Sequence, residues 1–362
     1  MSKASDSPTV TIRHVAAHAG VSIKTVSRVL NCEPGVIPET QALVRASVAA
    51  LNYSPNPSAR NLASVVSNMI GFAYQHISPE EDDMRGGHQY SRLLQIGALE
   101  ACERHGFGLI PIPCDTRAQD LPERLVMKAR ERRLGGLVIA APLGNNAFGM
   151  LETLNRAGMP HVCISPNDLE HDAPCVAIEE QSAAYEMAKH LIGQGHRRIG
   201  FVTGLRNLRV TQARYEGYLQ AMEEHGLPVD PRWVAQGEFT FASGIKCGEN
   251  LLSLSPPVTA IFASNDDMAV GVMHAAYARG IRIPEDLSVA GFDDTELARF
   301  SWPPLTTIRQ PLEQMAQTAV AQLIGLIRPQ RVSGEALSPR AIFPCKLIAR
   351  ASVAPPSDSP IK

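Results

Sequence analysis

From Met69 onward, short apolar runs alternate with longer amphipathic stretches. The runs are Met69–Tyr74, Phe107–Ile112, Gly136–Ile139, Pro160–Ile164, Cys175–Ile178, Arg198–Val202, Trp233–Gln236, Thr259–Phe262 and Leu287–Gly291. Short runs that stay apolar on successive residues suit strands buried on both faces. The stretches between them, Gln89–His105, Gln119–Arg133, Phe148–Ala157, Gln181–Gln194, Gln212–His225, Ala242–Leu252 and Asp267–Arg279, carry apolar residues at helical spacing. Strands alternating with helices predict βαβ units and parallel sheets covered on both faces. So many strands exceed one comfortable sheet, and the rhythm restarts at Cys175, so two lobes are expected.

The pattern before Met69 is different. Thr11 stands where it can cap a helix whose apolar face is Ile12, Val15, Ala16 and Ala19; Gly20 offers a tight turn, and Ser22 can cap a second helix. In that second helix Val26, Val29 and Leu30 fall inward, leaving Ile23, Lys24, Ser27 and Arg28 outward, with Lys24 and Arg28 four apart on one face. Two helices joined by a short glycine turn, the second presenting donors, meet the geometric need of major-groove reading. An ordinary helical hairpin with a solvated face is the plainer reading. A third helix follows over 38–51, with Ile37 at a cap position that serine or threonine would fill better. Ser54-Pro55-Asn56-Pro57 breaks the chain, and 58–64, with Ala59, Leu62 and Ala63, is too short to hold a helix alone. It suits either a plain linker or a segment that folds on DNA and wedges Leu62 into the minor groove.

Composition narrows the class. The 362 residues are 44% hydrophobic, and the net charge of −2 sets up no basic field over the whole chain. Residues 1–64 nevertheless hold Lys3, Arg13, Lys24, Arg28, Arg45 and Arg60 against Asp6, Glu33 and Glu39. The seven cysteines, Cys32, Cys102, Cys114, Cys163, Cys175, Cys247 and Cys345, are odd in number and scattered, so neither a disulfide framework nor a zinc site is expected. The first residues lack the apolar run of a signal peptide and no stretch is long enough to span a bilayer, which together predict a cytoplasmic protein with no membrane partner. No phosphate loop, H-E-x-x-H or G-x-S-x-G motif occurs, and the histidines have no convincing nucleophile or metal-ligand companions. No enzymatic activity, cofactor or metal is expected.

Several motifs, in order, resemble the LacI family of bacterial repressors: Thr11–Asn31, Asn52-Tyr53-Ser54-Pro55-Asn56, the Ala59 and Leu62 segment, Gly195-His196-Arg197-Arg198-Ile199, Ser264-Asn265-Asp266, Gly291-Phe292-Asp293-Asp294 and Pro304-Leu305-Thr306-Thr307-Ile308. The resemblance runs from about residue 10 to 350. It implies a small all-α helix-turn-helix head over 1–53, a hinge over 54–66 and a two-lobed, periplasmic-binding-protein-like α/β core with parallel sheets over 67–350. The first lobe would take residues 67–164 and 297–331, the second 165–296 and 332–350, with 351–362 a loose tail. It implies a homodimer or a tetramer on double-stranded, pseudo-palindromic operator DNA. Ile23, Lys24 and Arg28 would read bases, Leu62 would be the wedge, and Thr11, Ser22, Thr25, Ser27, Asn31, Tyr53, Asn56 and Ala59 would complete the DNA-binding set.

Ligands of open α/β sheets sit at the carboxyl ends of the strands. That rule offers Tyr74, Ser165, Arg214, Phe239, Asn265, Asp266 and Asp293 as candidates, and the resemblance favours Arg214, Phe239, Asn265 and Asp293 as effector contacts. A donor fork, hydroxyl partners and an apolar plate suit a small-molecule effector of sugar type. Plainer readings remain for each: Asn265 and Asp266 as helix caps, Asp293 and Asp294 as a solvated turn, Arg214 as surface, and Phe239 as core. The segment 76–90, acidic and glycine-containing, departs from the family's usual short entry to the helix, so the resemblance carries over no effector contact there. Besides the ligand-controlled repressor, the residues are compatible with a regulator governed by a protein partner. A free solute-binding protein or a sugar-processing enzyme fits less well.

Overall fold

The computed structural model describes residues 10–30, 35–53, 67–75, 88–115, 118–140, 147–167, 173–328 and 338–357. Two compact units divide the chain, Met1–Ser67 and Asn68–Lys362. Asn31, Asn56, Ala59 and Leu62 lie outside the described residues.

The first unit holds α1 (Ile12–Ala19), α2 (Ile23–Leu30) and α3 (Pro38–Ala50). Gly20 closes α1 at φ 64°, its amide reaching the Ala16 and Ala17 carbonyls, a left-handed conformation that costs glycine nothing. Ser22 Oγ accepts from the Thr25 amide at 3.0 Å and caps α2. At Thr11 the cap is inverted: its amide donates to His14 Nδ1 at 3.1 Å. Val15, Ala19, Val26, Val29 and Val44 form the small core against which Leu30, Val48 and Tyr53 pack. Ile37 gives α3 no side-chain cap.

The second unit carries two parallel sheets. In chain order its elements are β1 (Met69–Gln75), α4 (His88–His105), β2 (Gly108–Cys114), α5 (Leu121–Glu131), β3 (Gly136–Ala140), α6 (Ala147–Arg156), β4 (His161–Ile164) and β5 (Cys175–Ile178). There follow α7 (Glu180–Gly193), β6 (Ile199–Thr203), α8 (Arg209–Glu224), β7 (Val234–Gln236), α9 (Phe241–Leu252), β8 (Ala260–Ala263), α10 (Asp266–Ala278), β9 (Ser288–Ala290) and α11 (Glu296–Phe300). The chain ends with β10 (Thr307–Arg309), α12 (Leu312–Ile327), β11 (Arg340–Phe343) and β12 (Lys346–Ile348). One sheet has six strands in the order β11-β5-β4-β3-β1-β2, the other four in the order β7-β6-β8-β9, and β10 pairs with β12 antiparallel. Helices cover both sheets, and α7 meets α8 closely: a Cβ at Gly217 would lie 2.2 Å from the Gln181 carbonyl oxygen.

The sheet order corrects three of the boundaries expected from sequence. Cys175–Ile178 pairs with β4 and β11 in the six-stranded sheet, so the second lobe starts after it and not at 165. Arg340–Phe343 belongs to that same first sheet, not to the second lobe. A fully buried strand such as Cys175–Ile178 reads alike in either sheet, because its apolar run does not encode its neighbours. Within 297–331, the segment up to Arg309 stays with the second lobe through Ala290–Thr306 and Asp293–Arg309 bridges, and only α12 packs on the first. The tail is not loose at its start. Buried Ser352 donates to the Val289 carbonyl at 2.6 Å and accepts from the Thr306 amide at 2.8 Å, and Ala354 joins Ser288 and His196.

Candidate functional site

In the head, the face of α2 expected to point outward is exposed at Ile23, 44%, an unusual place for a bare isoleucine, and at Lys24, but not at Ser27 and Arg28. Thr25, Ser27 and Arg28 are half-buried, and the Arg28 guanidinium lies against Gly35. Thr11 and Ser22 sit exposed at the amino ends of α1 and α2, and Tyr53 closes the core after α3. A short helix with an apolar residue and a cation on its solvent face presents both a hydrogen-bond donor and a methyl contact for base edges.

In the core, the chemistry gathers around Arg214 on α8. Burial excludes the surface reading: Arg214 is 5% exposed. Its Nε donates to Glu180 Oε2 at 2.7 Å, Nη1 donates to the Ser264 carbonyl and lies 3.8 Å from Asp293 Oδ1, and the guanidinium carbon stands 3.7 Å from the centroid of the Phe292 ring. Asp293 Oδ1 also accepts from Gln310 Nε2 at 2.6 Å. The Asp293 backbone is at φ 117°, so the turn after β9 is held by these bonds against its own preference. Burial pushes the Asp293 carboxyl well above the usual carboxylate range, against the pull of Arg214.

Asp293 and Asp294 are not a solvated turn. Asp294 turns its fully buried carboxylate to Arg309 and Arg350, with Arg299 3.8 Å away. Asn265 does cap α10, its Oδ1 accepting from the Met268 amide at 3.0 Å, and its Nδ2 donates to the Phe239 carbonyl at 3.0 Å. Phe239 is half-buried at φ 62°, its ring laid on Gly204, where any Cβ would collide with it. Asp266 is a structural clamp: its carboxylate accepts from Thr307 Oγ1 at 2.6 Å and from the Thr295 amide at 2.8 Å, tying the crossing strand β10 to α10. Burial raises its pKa to about 7 despite those bonds.

Ser165 follows β4 with its hydroxyl buried beside that of Tyr90. Tyr74 packs 6.4 Å from Phe72 and joins no hydrogen bond of the Arg214 group among the described residues. Three members of the group were absent from the sequence candidates. Glu180 follows β5, and the same carboxyl-end rule that offered Arg214 points to it once β5 is placed. Tyr90, at the start of α4, brings its hydroxyl among Ser165, Glu180, Arg214 and Asp293, where burial raises its pKa. Gln310 follows β10 with its Oε1 buried and without a partner among the described residues.

Catabolite control protein A of Priestia megaterium is 32% identical over 324 residues, 89% of this chain and 94% of that protein. The HTH-type transcriptional repressor PurR of Haemophilus influenzae is 33% identical over 345 residues, 95% and 98% of the two chains. The chain belongs to the LacI family. The model for bacterial regulatory proteins of the lacI family matches residues 11–56 of this LacI-family chain, and that for a periplasmic-binding-protein-like domain matches residues 188–353. The fold agrees with a Lac repressor dimer bound to operator and the anti-inducer ONPF, at TM-score 0.75 and 26% identity over 95% of this chain and 99% of that one. It agrees also with the regulator CelR in complex with cellobiose, at TM-score 0.70 and 27% identity over 95% and 99%. The chain is thus a DNA-binding transcriptional regulator and not an enzyme. Among the described residues no helix is long and apolar enough to cross a membrane, and no cluster of His, Cys, Asp or Glu could hold a metal ion.

Proposed function

We propose that this LacI-family regulator is a cytoplasmic, homodimeric repressor that binds a pseudo-palindromic operator and is released or recruited by a neutral, polyhydroxylated small molecule of sugar type. The observation that carries the effector reading is the buried Arg214, Glu180, Asp293 and Gln310 group with Ser165. One of its polar atoms, Gln310 Oε1, is sealed from solvent with no partner among the described residues, a costly state that a ligand's hydroxyl would relieve. The charge balance selects against an anion. Arg214 is offset by Glu180 alone if Asp293 is protonated, and outweighed by both if it is not, so the group is never net positive. Arg214, Asp293, Ser165 and Tyr90 would hold the polar edge, Phe239 the C–H face, and Asn265 would fix Phe239 from behind; Tyr74 would close the first lobe's side. The cellobiose complex of CelR supports the ligand class.

On the DNA side, Ile23, Lys24 and Arg28 would read bases in the major groove, Thr11, Ser22, Thr25, Ser27, Asn31, Tyr53, Asn56 and Ala59 would contact the backbone or position the head, and Leu62 would wedge a minor-groove step. Selection of bound sequences from random DNA tests the first part: recovery of an inverted repeat is expected, and recovery of no motif would refute operator binding. Calorimetric titration of the full chain with a panel of mono- and disaccharides tests the second, repeated on Asp293→Asn for any sugar that binds. Loss of binding in the variant is expected, and unchanged binding would move the site elsewhere.

A further inference from the structure

The registers of the six-stranded sheet line up one row of side chains across it. Ile112 on β2 stands opposite Ala73 on β1, and Ala73 opposite Ile139 on β3. Ile139 stands opposite Cys163 on β4, and Cys163 opposite Cys175 on β5. Paired residues of parallel strands point to the same face, and all of these side chains lie in one cluster with the buried residues of α5 and α6. The row ends at β11, where Arg340 stands opposite Cys175 and is exposed. Two free thiols therefore sit side by side, one strand in from the edge of the sheet.

A cysteine in such a row packs as a small apolar residue, and one alone would be only that. Two in register can do more. Neighbouring strands lie about 4.8 Å apart, and the Cα atoms of a disulfide about 4.4–6.8 Å, so the backbone already stands within bridging range. The geometry points to Cys163 and Cys175 as a dithiol that a hydroperoxide oxidises to a cross-strand disulfide.

The two thiols have different parts. Burial raises the pKa of Cys175, but the charges of its neighbour Arg340 and of Arg209 oppose the rise. Burial, joined by the charge of Cys175, pushes the Cys163 thiol up to about 12. Cys175 is thus the attacking member and Cys163 the resolving one. The Cys175 thiolate attacks a peroxide oxygen, forming a sulfenic acid and releasing the alkoxide, or hydroxide from hydrogen peroxide itself. The Cys163 thiolate then attacks the Cys175 sulfur, the S–S bond forms and hydroxide leaves. In sum the two thiols lose two protons and two electrons, and the hydroperoxide is reduced to an alcohol and water. Both side chains are buried, so the oxidant reaches them only in local openings of the sheet edge, and the reaction takes minutes to hours. The bridge closes 163–175 into a ring that includes Ser165. Oxidation then changes how the Arg214 group holds its effector, a consequence that rests on the reading of that group; the bridge itself does not.

The test exposes the reduced full chain to excess hydrogen peroxide, unfolds it in N-ethylmaleimide to block the remaining thiols, and cuts it without reduction by a glutamyl endopeptidase. Cleavage after Glu170 separates the two cysteines, so a bridge shows as two peptides that stay joined until dithiothreitol is added. That linkage is expected as the main disulfide. Cys102 on α4 and Cys247 on α9, also buried, are internal controls, and the linkage should form at least about tenfold faster than either is lost, since local opening outpaces global unfolding. In Cys163→Ala, dimedone should trap the sulfenic acid of Cys175. Absence of the linkage in the parent overturns the proposal. So does linkage that forms only as fast as Cys102 and Cys247 oxidise, which would report unfolding and not the paired thiols. Absence of the dimedone label on Cys175 would overturn its part as the attacking thiol.

Discussion

Glu180→Ala should destabilise the core severely, because it strands a buried charge. Glu180 and Arg214 are 3% and 5% exposed at 2.7 Å, and among the described residues Asp293 is the only other carboxylate near the guanidinium, at 3.8 Å. With an effective dielectric constant of about 20, the gross Glu180–Arg214 attraction is roughly 6 kcal/mol, before desolvation is charged against it, and Asp293, held toward its neutral form by burial, adds less. Removing one partner of a buried pair generally costs about 3–5 kcal/mol net, since the surviving charge keeps its desolvation penalty. Glu180→Gln keeps an acceptor oxygen for Nε and should cost about half as much. Asp293→Asn should cost least: burial already holds that carboxyl toward its neutral form, and asparagine tolerates the positive φ. Replacing both ends, Glu180→Leu with Arg214→Met, should be milder than Glu180→Ala alone. Urea unfolding followed by tryptophan fluorescence is the assay. Trp233 is buried beside β7 whereas Trp302 is 83% exposed, so the signal change reports the second lobe. A loss below about 1 kcal/mol for Glu180→Ala, at unchanged m-value, would refute the idea that Arg214 depends on its ion pair.

Lys24→Ala should change base preference at one position of each half-site, by about 1–3 kcal/mol of discrimination in a selection experiment; a uniform affinity loss with the motif intact would make Lys24 a phosphate contact. Gly217→Ala should lower stability by about 1–3 kcal/mol in thermal unfolding, since its methyl would fall 2.2 Å from the Gln181 carbonyl oxygen and pry α7 from α8. His196, buried between Thr259 and the Ala354 carbonyl, has its pKa lowered by burial to about 4. Its folded pKa lies below the unfolded value, so the unfolded chain binds the extra proton. Stability is therefore full above about pH 6.5 and falls by up to about 3 kcal/mol as pH drops toward 4. Urea midpoints across that range for the parent and His196→Gln measure it, the variant losing the slope.

Periodicity made the strands and helices up to Gly291 legible, mostly within three residues, because a buried strand and an amphipathic helix differ in period whatever surrounds them. Beyond Gly291 no element was expected, although Leu312, Met315, Ala316, Ala319, Val320, Leu323 and Ile324 sit at helical spacing and form the buried face of α12. The lobe to which β5 and β11 belong was illegible for a different reason: sheet membership is fixed by non-local pairing. At the site, the carboxyl-end rule located Arg214, Asp293, Asn265 and Ser165, but it treats each residue singly. It missed Glu180, Gln310 and Tyr90, whose roles exist only once three segments distant in the chain are brought into contact. Asn265 carries both its readings at once, one end of its amide capping α10 and the other holding Phe239.

The late position of the closing segments sets an order on the molecule's assembly. The head closes its core with residues 12–53, all neighbours in sequence. The six-stranded sheet lacks its edge until Arg340–Phe343 arrives, and β9, already paired with β8, gains its last ties from Ser352 and Ala354. A ribosome adding about 5–20 residues per second needs some 15–60 s for the roughly 300 residues after the head. During that interval each nascent chain carries a finished DNA reader ahead of an unfinished sensor. The edge of β5, facing no partner until β11 emerges, stays open to pairing with another chain over the same interval.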